Sequence, residues 1–483
     1  MTQAVEATAL QGDRVSDAIT AWAAQTRFQD LPDPVVERMK KSILDVLAVG
    51  IYGTTFPAPR PVLNYVKKRA ALKEATVFLG HGQASAFDVA LINGTFVHTT
   101  EFAEGFTRAR VHPGNSIIPG LLAISEREKR SGEDMLVGGA VGYELNIRMG
   151  MSVDVDFSLD KGQGIHPPAM LGSIAAALAC GKSLGFDAEG VRNVLGIAAT
   201  EMPSALNIAA RQQAGVKDLY QGFNSALGVF AADMTKEGLD GLTDWVTHWY
   251  RAIPRTYDFG PLVERLGEYW HVSSGGIRIK TRPVMGMCQP TTFALYDYLR
   301  EHKIDYTQIE DILVESSDRI VLSDVYEVDT LVAARASIPF LAAAALVRPD
   351  EFTADYYCIK FLRDELLHDD RIRVLSRKVR LGVDPEFVHN LEYAPHGDPT
   401  HYIKFEARVT VTMKDGTKHV AYKDVFAAGT GNMSRDDVAR KFRACVDGLM
   451  PSDRAEKVID TVWNLEKLTD VGELARLMGQ PSA

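Results

Sequence analysis

The chain has only four cysteines, Cys180, Cys288, Cys358 and Cys445, set far apart with no CxxC pair and no companion histidine spacing. That pattern excludes a disulfide framework and a zinc module, and reduced thiols are the expectation. No uninterrupted apolar stretch approaches the roughly 18 residues that a membrane span requires. The opening MTQAVEATALQGDRV has no basic segment followed by an apolar one, so a cytoplasmic protein with no membrane partner is expected. Runs of Lys and Arg are missing too. With 53 Lys and Arg against 63 Asp and Glu, the net charge of −10 argues against a nucleic-acid partner. A local basic pocket for a small anion is compatible with that balance. Also absent are GxGxxG after a strand, GxxxxGK[ST], HExxH and GxSxG, which removes the nucleotide, zinc-protease and serine-hydrolase readings.

What is present is a globular balance, 46% hydrophobic and 24% charged over 483 residues, enough for two or three domains. From about residue 14 to 265 apolar residues recur three and four apart between Gly, Pro and Asp breaks. ERMKKSILDVLAVGIYG reads as one such helix, closed by glycine. LGSIAAALACGKSLG, VRNVLGIAATEM and FNSALGVFAADMTKEG carry the small side chains of closely packed helices. After about residue 270 short β-branched runs take over: IEDILVES, RKVRLGVD, and FEARVTVTMKDGTKHVAYKD around a hairpin signal at Asp415-Gly416. Helical spacing returns after Ser434, where Asp437 three residues on resembles a cap. The expectation is a mainly α protein: a large helical domain over residues 10–269 and 432–479, interrupted by a smaller α+β lid domain over 270–431.

The stretch NGTFVHTTEFAEGFTRARVHPGN gathers two His, two Glu and two Arg between apolar flanks. It reads as a loop from His98 to His112 at the mouth of a core. His112 precedes Pro113-Gly114 and His166 precedes Pro167-Pro168, each at the start of an apolar helix. A histidine there can serve as acid or base near neutral pH, or it can simply hydrogen-bond a neighbouring loop. Lys217, at another helix start, can present its ammonium to a carboxylate, and Lys280 and Arg282 add two cations at the domain changeover. Glu101 and Glu104 are spaced for one helical face, and an exposed first turn explains them equally well.

Several of these segments together resemble the MmgE/PrpD family, which includes 2-methylcitrate dehydratase, cis-aconitate decarboxylase and iminodisuccinate epimerase. They are ILDVLAVGIYG, ASAFDVALINGTFVHTTEF, HPGNSIIPGLLAISE, GIHPPAMLGSIAAALACGKSLGFDAEGVRNVLGIAAT, VKDLYQGFNSALGVFAADM and ASIPFLAAAAL. The resemblance runs nearly end to end. It implies a helical domain plus a lid, a homodimer, and a di- or tricarboxylate substrate handled without metal or organic cofactor. It places His112, His166, Lys217 and Lys280 at substrate-facing positions, with Glu101 on a motif aspartate.

The departures are specific. The family's Asp-Phe-Asp-Asp-Thr is Glu101-Phe102-Ala103-Glu104-Gly105 here, Tyr220 replaces a common His, and Met285 stands where a proton-donating His is expected. Methionine cannot shuttle a proton, which disfavours decarboxylation. Arg108 and Arg110, just before His112, suit carboxylate binding. The expected activity is a cofactor-independent, dehydratase-type lyase. His112, His166, Lys217 and Tyr220 are its expected catalytic residues, and Glu101, Arg108, Arg110, Lys280 and Arg282 its binding residues. An isomerase or epimerase is the alternative; a decarboxylase or a non-catalytic carboxylate binder ranks below both.

Overall fold

The computed structural model describes residues 2–154, 164, 166–201, 209, 214–253, 256–387, 405–425 and 433–481. The chain divides into two compact units. One comprises Met1–Ile208, Val216–Ile279 and Ser434–Ala483; the other comprises Ala209–Gly215 and Lys280–Met433.

The first unit is helical. Its main helices are α1 (Thr2–Gln25), α2 (Asp33–Gly53), α3 (Arg60–Arg69), α4 (Ala86–Thr99), α5 (Pro113–Arg127), α6 (Gly132–Ser152), α7 (Pro167–Ser183), α8 (Ala188–Thr200), α9 (Val216–Lys236) and α10 (Trp245–Ala252). The small side chains have the role their spacing suggests. A Cβ on Gly94 would stand 2.7 Å from the Cα of Gly222, so α4 and α9 cross with their backbones nearly touching. That approach requires glycine on both helices. Helix α9 packs against α4, α5 and α7, and α5 packs against α4 and α7. Two of them start with a histidine N-cap followed by proline at the first helical position, His112 for α5 and His166 for α7. Proline suits that place because its missing N–H would be unpaired there anyway.

The second unit contains α11 (Gln289–Leu299), the wholly buried α12 (Ile338–Val347), and four main strands. These are β1 (Ile309–Ser316), β2 (Val379–Val383), β3 (Glu406–Met413) and β4 (Lys418–Asp424), in sheet order β4-β3-β1-β2. The β3–β4 and β1–β3 pairs are antiparallel, and β1–β2 is parallel. The hairpin turns at Asp415-Gly416 as expected: Gly416 takes φ +85°, and the Asp415 carboxylate accepts the Thr417 N–H at 2.9 Å. Ile312 and Val314 on β1 and Val409 and Val411 on β3 share one core with α12, following the period-two alternation of a half-buried sheet.

The chain then returns to the first unit as α13 (Arg435–Val446), α14 (Ser452–Trp463) and α15 (Gly472–Gly479). Ser434 and Asp437 form the expected capping box at the start of α13. All four cysteines are buried free thiols. Among the described residues no helix is long and apolar enough to cross a membrane.

Candidate active site in the helical unit

The polar stretch read from sequence forms the connection between α4 and α5, and its geometry follows from what lies beneath it. His98 belongs to the last turn of α4 rather than to a loop, and its Nδ1 lies 3.1 Å from the Asn115 amide nitrogen on α5. The chain reverses at Glu101, whose φ of +52° is costly for a residue with a side chain. Residues Gly105–Phe106 pair with Ile277–Arg278, and the turn Thr107–Arg110 closes at Arg110 with φ +55°. Arg108 and Arg110 are both partly exposed on that turn.

Glu101 and Glu104 do not share a helical face, and Glu104 is not exposed. Glu104 is fully buried, with Oε1 accepting the Gly114 N–H at 3.1 Å and Oε2 accepting the Ser42 hydroxyl at 3.3 Å. Its backbone N–H donates to Asp45 on α2 at 3.1 Å. Burial and the neighbouring Asp45 push the Glu104 carboxyl up to about 7. Asp45 is in turn paired with Lys441 of α13 at 2.5 Å, and both side chains are wholly buried. The Lys441 ammonium also donates to the Phe102 carbonyl at 2.8 Å and sits 3.9 Å over the Phe102 ring.

His112, the N-cap of α5, lies against this buried acidic group. Its Nδ1 is 2.9 Å from the Glu104 carbonyl oxygen, an atom that can only accept. The bond therefore places a proton on Nδ1 and leaves Nε2 as the basic nitrogen of the neutral ring. The ring lies directly on Gly105, where a Cβ would come within 2.6 Å of Nδ1. The hydroxyl residue of the family motif is thus replaced by the residue that admits His112 at this distance.

His166 is close enough for the charge of His112 to disfavour its protonation. Burial does more, and the imidazole is depressed to about 3. Its Nδ1 has no hydrogen-bond partner among the described residues, and its ring lies 5.7 Å from that of Tyr220. Tyr220 sits on the first turn of α9, and partial burial raises its phenol above the usual range. Lys217 on the same turn is buried and ion-paired with Glu101. Asp218 beside it accepts the Thr99 hydroxyl at 2.6 Å, tying α9 to the end of α4. The structure therefore brings together His112, His166, Lys217, Tyr220 and Glu101 where α5, α7 and α9 begin. Helix N-termini carry partial positive charge and favour anions.

The MmgE/PrpD N-terminal domain matches residues 17–251, and the MmgE/PrpD C-terminal domain matches residues 283–467. The chain belongs to the MmgE/PrpD family. Its similarity to individual members is distant but end to end. Mouse cis-aconitate decarboxylase is 26% identical, with 97% of this chain and 94% of that protein covered. The human cis-aconitate decarboxylase is 25% identical, over 94% and 92% of the two chains. The cis-aconitate decarboxylase-like protein oryM of Aspergillus oryzae is 24% identical, over 96% and 97%. These relatives are enzymes, and the family relationship supports an enzyme of lyase type.

The remaining expected residues lie in the second unit. Lys280 is half-buried and near enough to Cys288 to affect that thiol. Arg282 is fully buried in an aromatic cage, its guanidinium 4.2 Å from the Tyr296 ring centroid and 4.6 Å from that of Phe293, and it donates to Cys358. Met285 is partly buried against the core of that unit. Sequence reasoning missed Asp45, Tyr143 and Lys441. The available signal was a lone carboxylate in the apolar run ILDVLAVG, since a charge on the buried face of a helix needs a partner.

Proposed function

We propose that the protein is a cofactor-independent lyase of dehydratase type, which abstracts a proton next to a carboxylate of a small di- or tricarboxylic acid. The observation that carries this reading is the asymmetry of the two histidines. His112 has its tautomer set by the Glu104 carbonyl, whereas His166 is held neutral. In an elimination, His112 Nε2 takes the proton from the carbon next to the carboxylate. The electron pair forms the alkene, and the departing hydroxyl leaves as water with a proton from an acid. Tyr220 suits that role because its raised phenol is protonated at neutral pH. We assign Lys217, which Glu101 holds in place, and the N-termini of α7 and α9 to the substrate carboxylate, where they oppose the charge that builds on it.

Decarboxylation is the second reading, favoured by the names of the relatives; epimerisation by two-base proton transfer is the third. Proton NMR in D2O, with the purified protein against citrate, 2-methylcitrate, cis-aconitate, malate, tartrate and iminodisuccinate, separates them. New vinylic signals from a saturated hydroxy acid, without CO2 release, support the dehydratase. Loss of an α-proton signal without elimination replaces it with the epimerase, and CO2 release from cis-aconitate replaces it with the decarboxylase. Substitution of His112 should cost roughly 10²–10⁴-fold in rate, and full activity of His112→Gln refutes the assignment.

A further inference from the structure

We propose that Glu104 is the positioning residue of this site, a buried clamp that grips the His112 ring and the chain just beyond it and so fixes the tautomer and place of that ring. The proposal rests on the reading of His112 as the base. Its evidence is the number of separate elements that meet on one side chain and one peptide unit.

The Glu104 backbone carbonyl accepts the His112 Nδ1–H at 2.9 Å. Its carboxylate accepts the N–H of Gly114, two residues beyond His112, at 3.1 Å. Its own backbone N–H is anchored on Asp45 at 3.1 Å, and Asp45 is locked by Lys441 at 2.5 Å. Ser42 of α2 holds the second carboxylate oxygen at 3.3 Å, and the Tyr143 phenol of α6 borders the same group. The charged and titratable groups facing Glu104 are therefore Asp45 and Arg38 from α2, Tyr143 from α6 and, through Asp45, Lys441 from α13.

This clamp opposes a real strain. The connection it holds has left-handed backbone at Glu101 and Arg110, φ +52° and +55°, and such residues persist only where their surroundings over-determine them. Gly105 lets the ring settle into the clamp, because a Cβ there would meet Nδ1 at 2.6 Å. Glu104 itself is wholly buried. It therefore acts through His112 and does not touch substrate.

The test uses full-length protein labelled with ¹⁵N-histidine, the His112 ring being assigned by its loss in His112→Gln. In the wild type the ring should show Nδ1 protonated and Nε2 bare. Glu104→Asp keeps the charge but withdraws the carboxylate from Gly114. It should give a mixture of tautomers and lower kcat by about 10-fold or more, with KM changed much less, since a misplacement of about 1 Å can cost about 10²-fold. Glu104→Gln keeps an oxygen for Gly114 and should retain the wild-type ring pattern and most of kcat. Glu104→Ala should lose both; where it fails to fold, the Asp and Gln pair decides. A wild-type ring pattern in Glu104→Asp, or equal loss in Asp and Gln, overturns the clamp. Full activity of His112→Gln would instead overturn the proposed role of His112, while the ring pattern would still report on Glu104.

Discussion

Replacing Lys441 with methionine should destabilise the helical unit far more than an ordinary single substitution, because it strips a buried carboxylate of its cation. Lys441 and Asp45 are both fully buried, with Nζ and Oδ1 2.5 Å apart. Methionine fills most of the space of the lysine stem, so little of the loss comes from a cavity. What remains is an Asp45 carboxylate beside the equally buried Glu104 carboxyl. Removing one partner of a buried ion pair costs about 3–5 kcal/mol, against a centre near 1 kcal/mol for point substitutions generally. Asp45→Asn in the same chain removes the stranded charge while keeping an oxygen for the Glu104 N–H. The double variant should recover all but about 1 kcal/mol of the loss, the remainder being the hydrogen bond from Lys441 to the Phe102 carbonyl. Urea unfolding of the wild type, both single variants and the double variant measures this cycle, provided the slopes agree. A loss below about 1 kcal/mol in Lys441→Met, or a double variant as unstable as the sum of the singles, would refute the reasoning.

Gly105→Ala places a methyl 2.6 Å from His112 Nδ1 and should lower kcat/KM by about 10–10²-fold; activity within twofold of wild type would show that the ring position is not critical. His166, depressed to about 3 by burial and by His112, should show no titration of its ring protons by NMR between about pH 5 and 8. Because its folded pKa lies below the unfolded one, its contribution to stability is present at neutral pH and lost as pH falls below about 6.5. Glu104 has the opposite sign. Its carboxyl is raised from 4.5 to about 7, so its stabilising effect is present at low pH and lost as pH rises through about 7. Glu104→Gln should therefore gain on the wild type by about 3 kcal/mol in urea unfolding between about pH 5 and pH 8.5, and a pH-independent difference would contradict the burial of an ionising group.

The parts of this molecule legible in the sequence are those whose physics is local. IEDILVES forms β1 over its whole length, and residues 312–316 alternate between buried and half-buried after an irregularity between Ile309 and Asp311. The Asp415-Gly416 turn and the Ser434 cap likewise depend on a few consecutive residues. His112 and His166 were legible because each precedes a proline at a helix start. Glu104 was not, since what fixes its environment lies elsewhere in the chain. Asp45 is 59 residues away, and Lys441, which holds Asp45, lies 339 residues from Phe102, whose carbonyl it also binds. The same reason hides the surroundings of Arg282. Its position at the changeover suggested a substrate cation, whereas Phe293, Tyr296 and Phe352 close around it. Burial of a cation among rings cannot be read from the residues flanking it.

On the proposed reading of His112 as the base, the groups around it distinguish it from the other histidine in the same sequence context. On one side lie Asp45 and the Glu104 carboxyl, held in a buried network. Also close to it are the starts of α7 and α9, whose N-termini favour anions, with Lys217 held by Glu101. When the His112 ring takes a proton at Nε2, its charge is shared toward Nδ1, which already donates to the Glu104 carbonyl. The imidazolium is thus formed facing acceptors that need no rearrangement to receive it, and preorganisation of that kind is where electrostatic catalysis gains most. His166 caps α7 with no such acceptor among the described residues. Its Nδ1 is buried with no partner among the described residues, and burial beside His112 disfavours its cation. On the proposed reading the difference lies in Glu104, whose backbone carbonyl and buried carboxylate hold His112.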